Sequence, residues 1–338
     1  MGWWRDIWVR RAETWTFALL SPEQSPGGAT IQPIPADAKY LQIRLKSMHV
    51  VDVRRGLSRF YGTVHSHASV PHRSGDNAEF NVLTTPSVLK DAEAGHLDRV
   101  ILIDQPLLGP VPYRGGELEL EVGLFSIKSQ DLAGPYLDLL SDLSGLAGVS
   151  FVSAAKPFAE PLIRGINLLT GGAEDTVLEV GLAIKTRAPC TGYQIVVRAP
   201  RGSIDPSALQ VSDGDFVLTS RDGVDVTRYP YMILEITAEE QRADWFSIPE
   251  LQKPYKELNT AIRENRVAAV EEALITFERT ALTCDDLLFS DAVRLKSIIR
   301  SQVESIFSAG RTSHSVAEHN MMDHSRALPP LEEVPLFA

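Results

Sequence analysis

The chain of 338 residues has 33 basic and 44 acidic side chains, giving a formal net charge of −11, and 44% of its residues are hydrophobic. This composition is ordinary for a globular protein, and the length predicts two domains or three small ones. Nucleic-acid binding requires a field of basic side chains. Because no basic stripe runs along this acidic sequence, we expect no nucleic-acid partner.

Tryptophan and arginine dominate the first fifteen residues. The side chains concerned are Trp3, Trp4, Arg5, Trp8, Arg10, Arg11 and Trp15. Because these two residue types carry much of the binding energy in protein interfaces, we predict a partner-binding arm here. Two alternatives stay open: the arm lies on a membrane surface, where amphipathic helices combine the same residues, or it folds back onto its own domain.

A linker and a strand are predicted after the arm. Residues 21–35 contain four prolines and two glycines, so residues 1–35 are interpreted as an arm and linker. Leu41, Ile43 and Leu45 then alternate with polar residues, which predicts a strand with one buried face. Further strands are predicted at 59–65, 79–83 and 98–103. Prolines from Pro106 to Pro112 then predict a loop.

Two strand-like segments share nearly the same sequence motif. Leucine, glutamate, valine, glycine and leucine occur in this order at 120–124 and again at 178–182. In both segments the apolar residues occupy alternate positions, as in a strand of a sheet with one solvent-exposed face. Gly123 and Gly181 hold matching positions, where a bulge or the close approach of another backbone is expected. The sequence leaves open whether the two strands are neighbours.

A helical hairpin is predicted between these strands, at 131–171. Its first helix places Tyr136, Leu139, Leu140, Leu143 and Leu146 on one face. The uncharged run at 143–155 is shorter than the roughly 20 residues needed to span a bilayer. We therefore favour a hairpin packed on its own sheet, with membrane insertion as the alternative.

The last third of the chain changes from strands to helices. Strands are predicted at 193–197 and 231–236, and helical spacing begins near Ile248. Thr283 with Asp286 predicts a capping box before a last helix, and the tail after Gly310 is expected to be disordered. One further helix is predicted from the spacing of Val267, Val270, Leu274, Phe277 and Ala281.

Short turns join most of the predicted strands, so the fold class is mainly antiparallel β. We expect a β-sandwich-like domain at 36–240, for which a C2-like architecture is one option, with the helical-hairpin insertion at 131–171. A smaller α or α+β region follows at 245–310, and residues 311–338 form the expected disordered tail.

One cluster of histidines suggests a metal site. His65 and His67 are two residues apart at the predicted end of a strand, so both imidazoles lie on one face, and His72 follows. Zinc and binuclear hydrolase sites begin with such a pair. Further ligands must come from other strand ends, and no spacing singles them out. The alternative is a strand end with solvent-facing histidines.

Other chemical motifs are weak. Asp213, Asp215, Asp222 and Asp225 offer oxygen ligands for calcium, but aspartate before glycine is also the preferred turn sequence, so we favour a structural use. The sequence has no nucleophile elbow, no phosphate-binding loop and no dinucleotide fingerprint. We therefore expect no cofactor, and an enzyme is the less favoured interpretation.

These features predict a non-enzymatic cytoplasmic interaction or scaffold protein, an adaptor of bacterial type, which docks protein partners through its N-terminal arm and C-terminal helices. Cys190 and Cys284 lie far apart and no apolar run spans a bilayer, so a reducing cytoplasm is expected. An oligomer is compatible with this prediction. The alternatives are a peripheral membrane-associating effector, which uses the arm and the hairpin, and a metal-dependent hydrolase centred on His65 and His67.

Overall fold

The computed structural model describes residues 15–51, 54–55, 58–71, 77–83, 101–128, 151 and 176–317. The predicted hairpin insertion at 131–171 lies outside these residues. The chain divides into two compact units, Met1–Glu239 and Glu240–Ala338, and each is described by itself.

The first unit is built from antiparallel strands, which confirms the predicted fold class. One five-stranded sheet has the order β1-β9-β12-β2-β6. The second five-stranded sheet has the order β3-β4-β7-β8, with β5 also paired to β4, and β10 and β11 form a separate hairpin. The strands are β1 (Trp15–Leu19), β2 (Tyr40–His49), β3 (Arg54–Arg55), β4 (Ser58–Pro71), β5 (Asn77–Leu83), β6 (Ile101–Pro112), β7 (Leu118–Lys128), β8 (Thr176–Thr186), β9 (Gly192–Arg198), β10 (Leu209–Val211), β11 (Leu218–Ser220) and β12 (Tyr231–Glu239).

The two large sheets face each other across one apolar core, so this unit is a β-sandwich. The alternation along β2 sends its apolar residues into this core, as the sequence predicts. From the opposite sheet, apolar residues at alternate positions do the same within 64–70 of β4, 118–124 of β7 and 180–182 of β8. The buried side chains include Leu41, Ile43, Leu45, Val64, Ala68, Phe80, Leu120, Val122, Leu124, Val180 and Leu234.

A second, smaller core lies on the outer face of the first sheet. Tyr193, Ile195 and Val197 of β9 pack there with apolar side chains of the hairpin β10–β11. Because both faces of the sheet are covered at this point, β9 is buried along almost its whole length. A strand buried on both faces has no polar alternation.

The proline-rich segment at 106–112 is not a loop, so that prediction is wrong. It forms the second half of β6, which pairs with β2 at the edge of the first sheet. An edge strand tolerates proline because one of its sides has no partner strand that needs the missing N–H group.

The predicted linker packs against the sandwich unit. The Gln24 side-chain amide donates to the carbonyl oxygens of Pro206 and Leu209 at 2.9 and 2.7 Å. Ile34 is buried in the main core. Before this segment, β1 pairs antiparallel with β9, with Trp15 opposite Arg198.

The two copies of the repeated motif lie in two neighbouring strands. β7 and β8 pair antiparallel with Gly123 directly opposite Gly181, Val122 opposite Leu182 and Leu124 opposite Val180. The two copies are therefore related by a local two-fold axis through the glycine pair. A register shift follows immediately, between Leu124 and Phe125.

The described part of the second unit contains three α-helices, α1 (Pro249–Arg263), α2 (Val267–Thr283) and α3 (Phe289–Ala317). The apolar stripe predicted for α2 is buried, apart from the exposed Val267. The capping-box prediction is wrong, because Thr283 ends α2 and its hydroxyl donates back to the carbonyl of Arg279 at 3.0 Å. Helix α3 continues past Gly310, where the tail was expected to begin, and residues 318–338 lie outside the described part.

Aromatic rings fill the centre of the helical unit. Trp245 is fully buried, and its ring centroid lies 5.1 Å from Tyr255 and 5.8 Å from Phe277, with both rings steeply inclined to the indole. Edge-on pairs of this kind each contribute about 0.5–1.5 kcal/mol beyond the area that they bury. They connect the segment before α1 with α1 and α2.

A buried carboxylate fixes the start of α3. The Asp291 carboxylate accepts hydrogen bonds from the backbone N–H of Arg242 at 2.9 Å and from Nε of Arg294 at 2.7 Å. Arg242 is itself buried and donates to Asp244 at 2.7 Å. Each of these buried charges therefore has a charged or hydrogen-bonding partner, as a stable interior requires.

Candidate functional site

The histidine pair lies in the middle of β4, on the outer face of the second sheet. His65 is opposite Gly123 of β7, and His67 is opposite Glu121 of the same strand. The tertiary structure thus places a carboxylate opposite His67. His72, the third predicted ligand, lies outside the described residues.

This face is closed to solvent around His65, which is only 3% exposed. Burial, together with the charge of His67, lowers the pKa of His65 to about 3. Burial also raises the pKa of Glu121, against the opposing effect of His67. The interpretation of His65 as a solvent-facing side chain is therefore wrong: the strand continues beyond it, and its imidazole is a neutral, buried group.

A neutral imidazole is the form that ligates metals. In the described ranges, however, no group of three or more histidine, cysteine or acidic side chains is arranged to hold a metal ion. The described residues thus supply no further ligand, and a metal site at His65 and His67 stays a prediction.

A network of charged side chains lies on the outer face of the first sheet, and sequence reasoning missed it. Arg44 Nε and Lys46 Nζ lie 3.0 and 2.7 Å from Oδ1 of Asp104. Lys46 Nζ is also 3.4 Å from Oε2 of Glu235, whose other oxygen accepts a hydrogen bond from the Tyr193 hydroxyl. The network contains two cations and two anions, so it is internally neutral.

Irregular strand geometry builds this network. Lys46 is an extra residue between two consecutive pairs of β2 with β12, which is a β-bulge, and Asp104 has a positive φ of 48°. The hydrogen bond from Arg44 holds the pKa of Asp104 below its usual value. Burial and the bond to Glu235 raise the pKa of Tyr193.

The acidic hairpin uses its carboxylates for turns. Asp222 Oδ1 accepts from the Ser220 hydroxyl at 2.6 Å and from the Val224 N–H at 3.1 Å. Asp225 Oδ1 accepts in the same way from the hydroxyl and the N–H of Thr227. These bonds agree with the structural use that the turn sequences predict.

An open groove of about 580 Å³ lies between α1 and α2. The small side chains of Ala261, Ala269 and Ala273 line it, and Ala261 is buried at its bottom. Long polar side chains surround them, with Lys253 and Lys256 on α1 and Glu272 on α2 among the groove residues. The groove is therefore a concave surface. Its floor is formed by these alanine side chains, and its rims carry charged side chains.

Exposed apolar side chains are concentrated in the helical unit. Phe289 is 62% exposed, and Val293 lies one turn further along α3. Val267 and Ile275 lie two turns apart on α2. Of the seven large apolar side chains that are exposed in the described residues, five belong to this unit: Phe246, Val267, Ile275, Phe289 and Val293.

The sequence contained a signal for these residues, although only the C-terminal helices as a whole were predicted to dock partners. Ile275, Phe289 and Val293 fall outside the apolar stripes that define the helices. An apolar residue outside the buried stripe of a helix marks a possible contact surface, provided that the stripe is known. The predicted partner-binding arm, by contrast, lies outside the described residues, except for the backbone of Trp15.

Comparison with known proteins adds no assignment. No helix in the described ranges is both long enough and apolar enough to cross a membrane. No protein-family model, curated protein or solved structure matches this chain.

Proposed function

We propose that this protein is a non-enzymatic interaction protein, in which the β-sandwich serves as a scaffold and the helical unit docks a protein partner. The partner's contact segment is an acidic amphipathic helix or peptide with leucine-like anchors. The observation that carries this proposal is the α1–α2 groove, with its alanine floor, in the unit that also exposes most of the large apolar side chains.

The shape of the groove supports this choice of partner. A groove between two helices accepts the apolar side chains of a third segment, and the anchors are spaced by helical turns. Small residues such as Ala269 and Ala273 leave room for large side chains. An aromatic or leucine side chain can therefore be buried there without rearranging α1 or α2.

Charge supports an acidic partner. Among the groove residues, Lys253, Lys256 and Arg266 outnumber Glu257 and Glu272, in a chain whose formal net charge is −11. Within the described residues, Lys256 has no ion-pair partner. Because Lys253 and Arg266 are paired with Glu257 and Glu264, the attraction of the groove for an acidic segment rests on Lys256.

The predicted N-terminal arm serves in this proposal as a second anchor for the partner, and the protein acts in the cytoplasm. Tryptophan and arginine in the arm would add contacts that a shallow groove lacks. Both cysteines are free, and burial raises the pKa of Cys284 to about 12, so its thiol is protonated and unreactive in a reducing compartment.

A peptide-display library tests the proposal on the full chain. We expect it to enrich acidic, leucine-containing peptides, whose affinity is then measured by fluorescence polarisation. Ala273→Phe fills the groove and should weaken binding at least tenfold, which corresponds to about 1.4 kcal/mol. Ser297→Phe adds the same side chain to an exposed position of α3 outside the groove and should leave the affinity unchanged.

Two results would overturn the proposal. One is the absence of any enriched peptide class. The other is an enriched peptide that binds the Ala273→Phe and Ser297→Phe proteins equally well. A parallel measurement with residues 1–14 removed, which leaves β1 in place, tests the arm, because an unchanged affinity for a protein that carries the enriched sequence would exclude it as the second anchor.

A further inference from the structure

Strand β1 forms an open edge of the first sheet. It pairs with β9 on one side, and no strand of the described residues pairs with its other side. Strand β8 lies near β1 but belongs to the second sheet. An edge strand of this kind presents N–H and C=O groups that can pair with a further strand.

The pairing with β9 decides which backbone groups of β1 face the open edge. Directly after β1, the Leu20 N–H donates to the carbonyl of Tyr193 at 2.9 Å, and these two residues lie opposite each other. Bonded and non-bonded pairs alternate along an antiparallel ladder, so Ala18 and Thr16 also bond to β9. The residues whose N–H and C=O groups face the open edge are therefore Trp15, Phe17 and Leu19.

Apolar side chains accompany these backbone groups. Phe17 is 47% exposed, and Ile31, in the segment that continues the edge beyond β1, is 40% exposed. A methyl group at Gly192 would lie 3.5 Å from both the Leu19 and the Ile31 side chains, so these two side chains are neighbours. An apolar strip therefore runs along the open edge.

This edge lacks the protection that other edges of the sandwich have. Strand β1 contains neither proline nor a charged residue, and residues 29–34 are also uncharged. Strand β6, at the opposite edge of the same sheet, contains three prolines and several register shifts. Strand β8, at an edge of the second sheet, carries the exposed Lys185. Because proline, bulges and charges prevent pairing between edges, β1 is the edge that stays available.

We infer that β1 pairs antiparallel with β1 of a second copy of this chain, about a two-fold axis at Phe17. In this register Trp15 of one copy is opposite Leu19 of the other, and the two Phe17 residues are opposite each other. Every outward N–H and C=O group of both strands then has a partner, and the two five-stranded sheets join into one. This contact is independent of the α1–α2 groove.

Symmetry and charge favour a second copy as the partner. An antiparallel pair of identical strands is self-complementary, as the interface of a two-fold dimer requires. Two copies that each carry a formal net charge of −11 can meet at this edge without placing like charges of β1 opposite each other. The contact is short and belongs to the class below about 1,200 Å², so the dimer is expected to be weak and reversible.

Sedimentation velocity of the full chain at several concentrations tests the inference. We expect a monomer–dimer equilibrium, which Phe17→Lys weakens by about tenfold or more because two like charges then face each other. Phe246→Lys is the matched control, since Phe246 is 51% exposed in the other unit, and it should leave the equilibrium unchanged. A wild-type chain that stays monomeric, or a dimer that only Phe246→Lys disrupts, would overturn the inference.

A charge exchange across the two-fold axis tests the pairing itself. The Phe17→Lys and Phe17→Glu proteins should each be mainly monomeric, whereas their mixture should form a 1:1 dimer, because opposite charges then lie across the axis. Thermal unfolding of each protein alone verifies that both variants fold. If the wild type dimerises and the mixture does not, the pairing through β1 is wrong.

Amide hydrogen exchange locates the contact in the wild type without any substitution. The amides of Phe17 and Leu19 should exchange more slowly as the dimer forms, whereas the amide of Ala18, which bonds to β9, should be protected equally at all concentrations. A dimer that leaves the exchange of Phe17 and Leu19 unchanged uses another surface and would overturn the inference. A monomer in which an added extended peptide protects these amides would overturn it in favour of a strand from another protein.

Discussion

Gly123 of β7 lies directly opposite Gly181 of β8, and the next residue across the sheet is His65 of β4. Two of the three residues in this row have no side chain. Both glycines are buried, so the sheet is closely covered beside the buried imidazole. The repeated sequence motif and the histidine pair, which are far apart in the chain, are therefore neighbours in the sheet.

A side chain at Gly181 should disturb this row. We expect Gly181→Val to lower the free energy of unfolding by roughly 1–3 kcal/mol, because added methyl groups overfill a packed site. Ala183→Val is the matched control: it lies on the same strand and face, two residues further on, but it is exposed. It should change stability by no more than about 0.5 kcal/mol. Urea midpoints that coincide for the two variants would contradict the packing of this row.

The buried imidazole should make stability depend on pH. The pKa of His65 falls from 6.5 to about 3 on folding, so the folded state binds a proton more weakly than the unfolded state. This contribution is fully present above pH 6.5 and is lost as the pH falls toward 3. The slope is at most about 1.4 kcal/mol per pH unit.

A variant isolates the effect of this histidine from the carboxylates that titrate in the same range. His65→Gln has no group to protonate, so between pH 6 and pH 4 its stability should fall less steeply than that of the wild type. Denaturant unfolding at several pH values measures the difference. In NMR, a His65 imidazole that titrates near its ordinary pKa would exclude the buried neutral state.

The ion pair between Glu278 and Arg300 should stabilise the contact of α2 with α3. Arg300 donates from Nε and Nη2 to the two carboxylate oxygens, both at 2.8 Å, and Glu278 is buried. Arg300→Ala should cost roughly 1–2 kcal/mol, since Lys296, 3.6 Å away, compensates only partly for the lost partner.

The control for this prediction is an ion pair at the surface. Lys253 and Glu257 are 3.9 Å apart and both are exposed, so Lys253→Ala should change stability by less than about 0.5 kcal/mol. Thermal unfolding of both variants provides the comparison. Equal shifts of the two midpoints would show that the buried position of Glu278 has no energetic consequence.

Elements with one buried face could be predicted from the sequence. The alternation of Leu41, Ile43 and Leu45 in β2 and the helical spacing of Val270, Leu274 and Phe277 in α2 both follow from burial on one side. In these elements the period of the apolar residues equals the period of the backbone, so local sequence is sufficient.

Elements whose environment is set by distant residues could not be predicted. β9 is buried on both faces by the hairpin β10–β11, and the prolines of β6 are accommodated only because that strand lies at an edge. The Lys46 network likewise depends on a bulge between β2 and β12, which are far apart in the chain.

For the candidate sites, the sequence determined the residue types and the tertiary structure decided their surroundings. The spacing of His65 and His67 was sufficient to place both on one face of a strand. The burial of His65 and the position of Glu121 opposite His67 follow from the pairing of β4 with β7. The groove between α1 and α2 likewise exists only where the two helices pack, because cavities, burial and pKa shifts arise from contacts between segments distant in sequence.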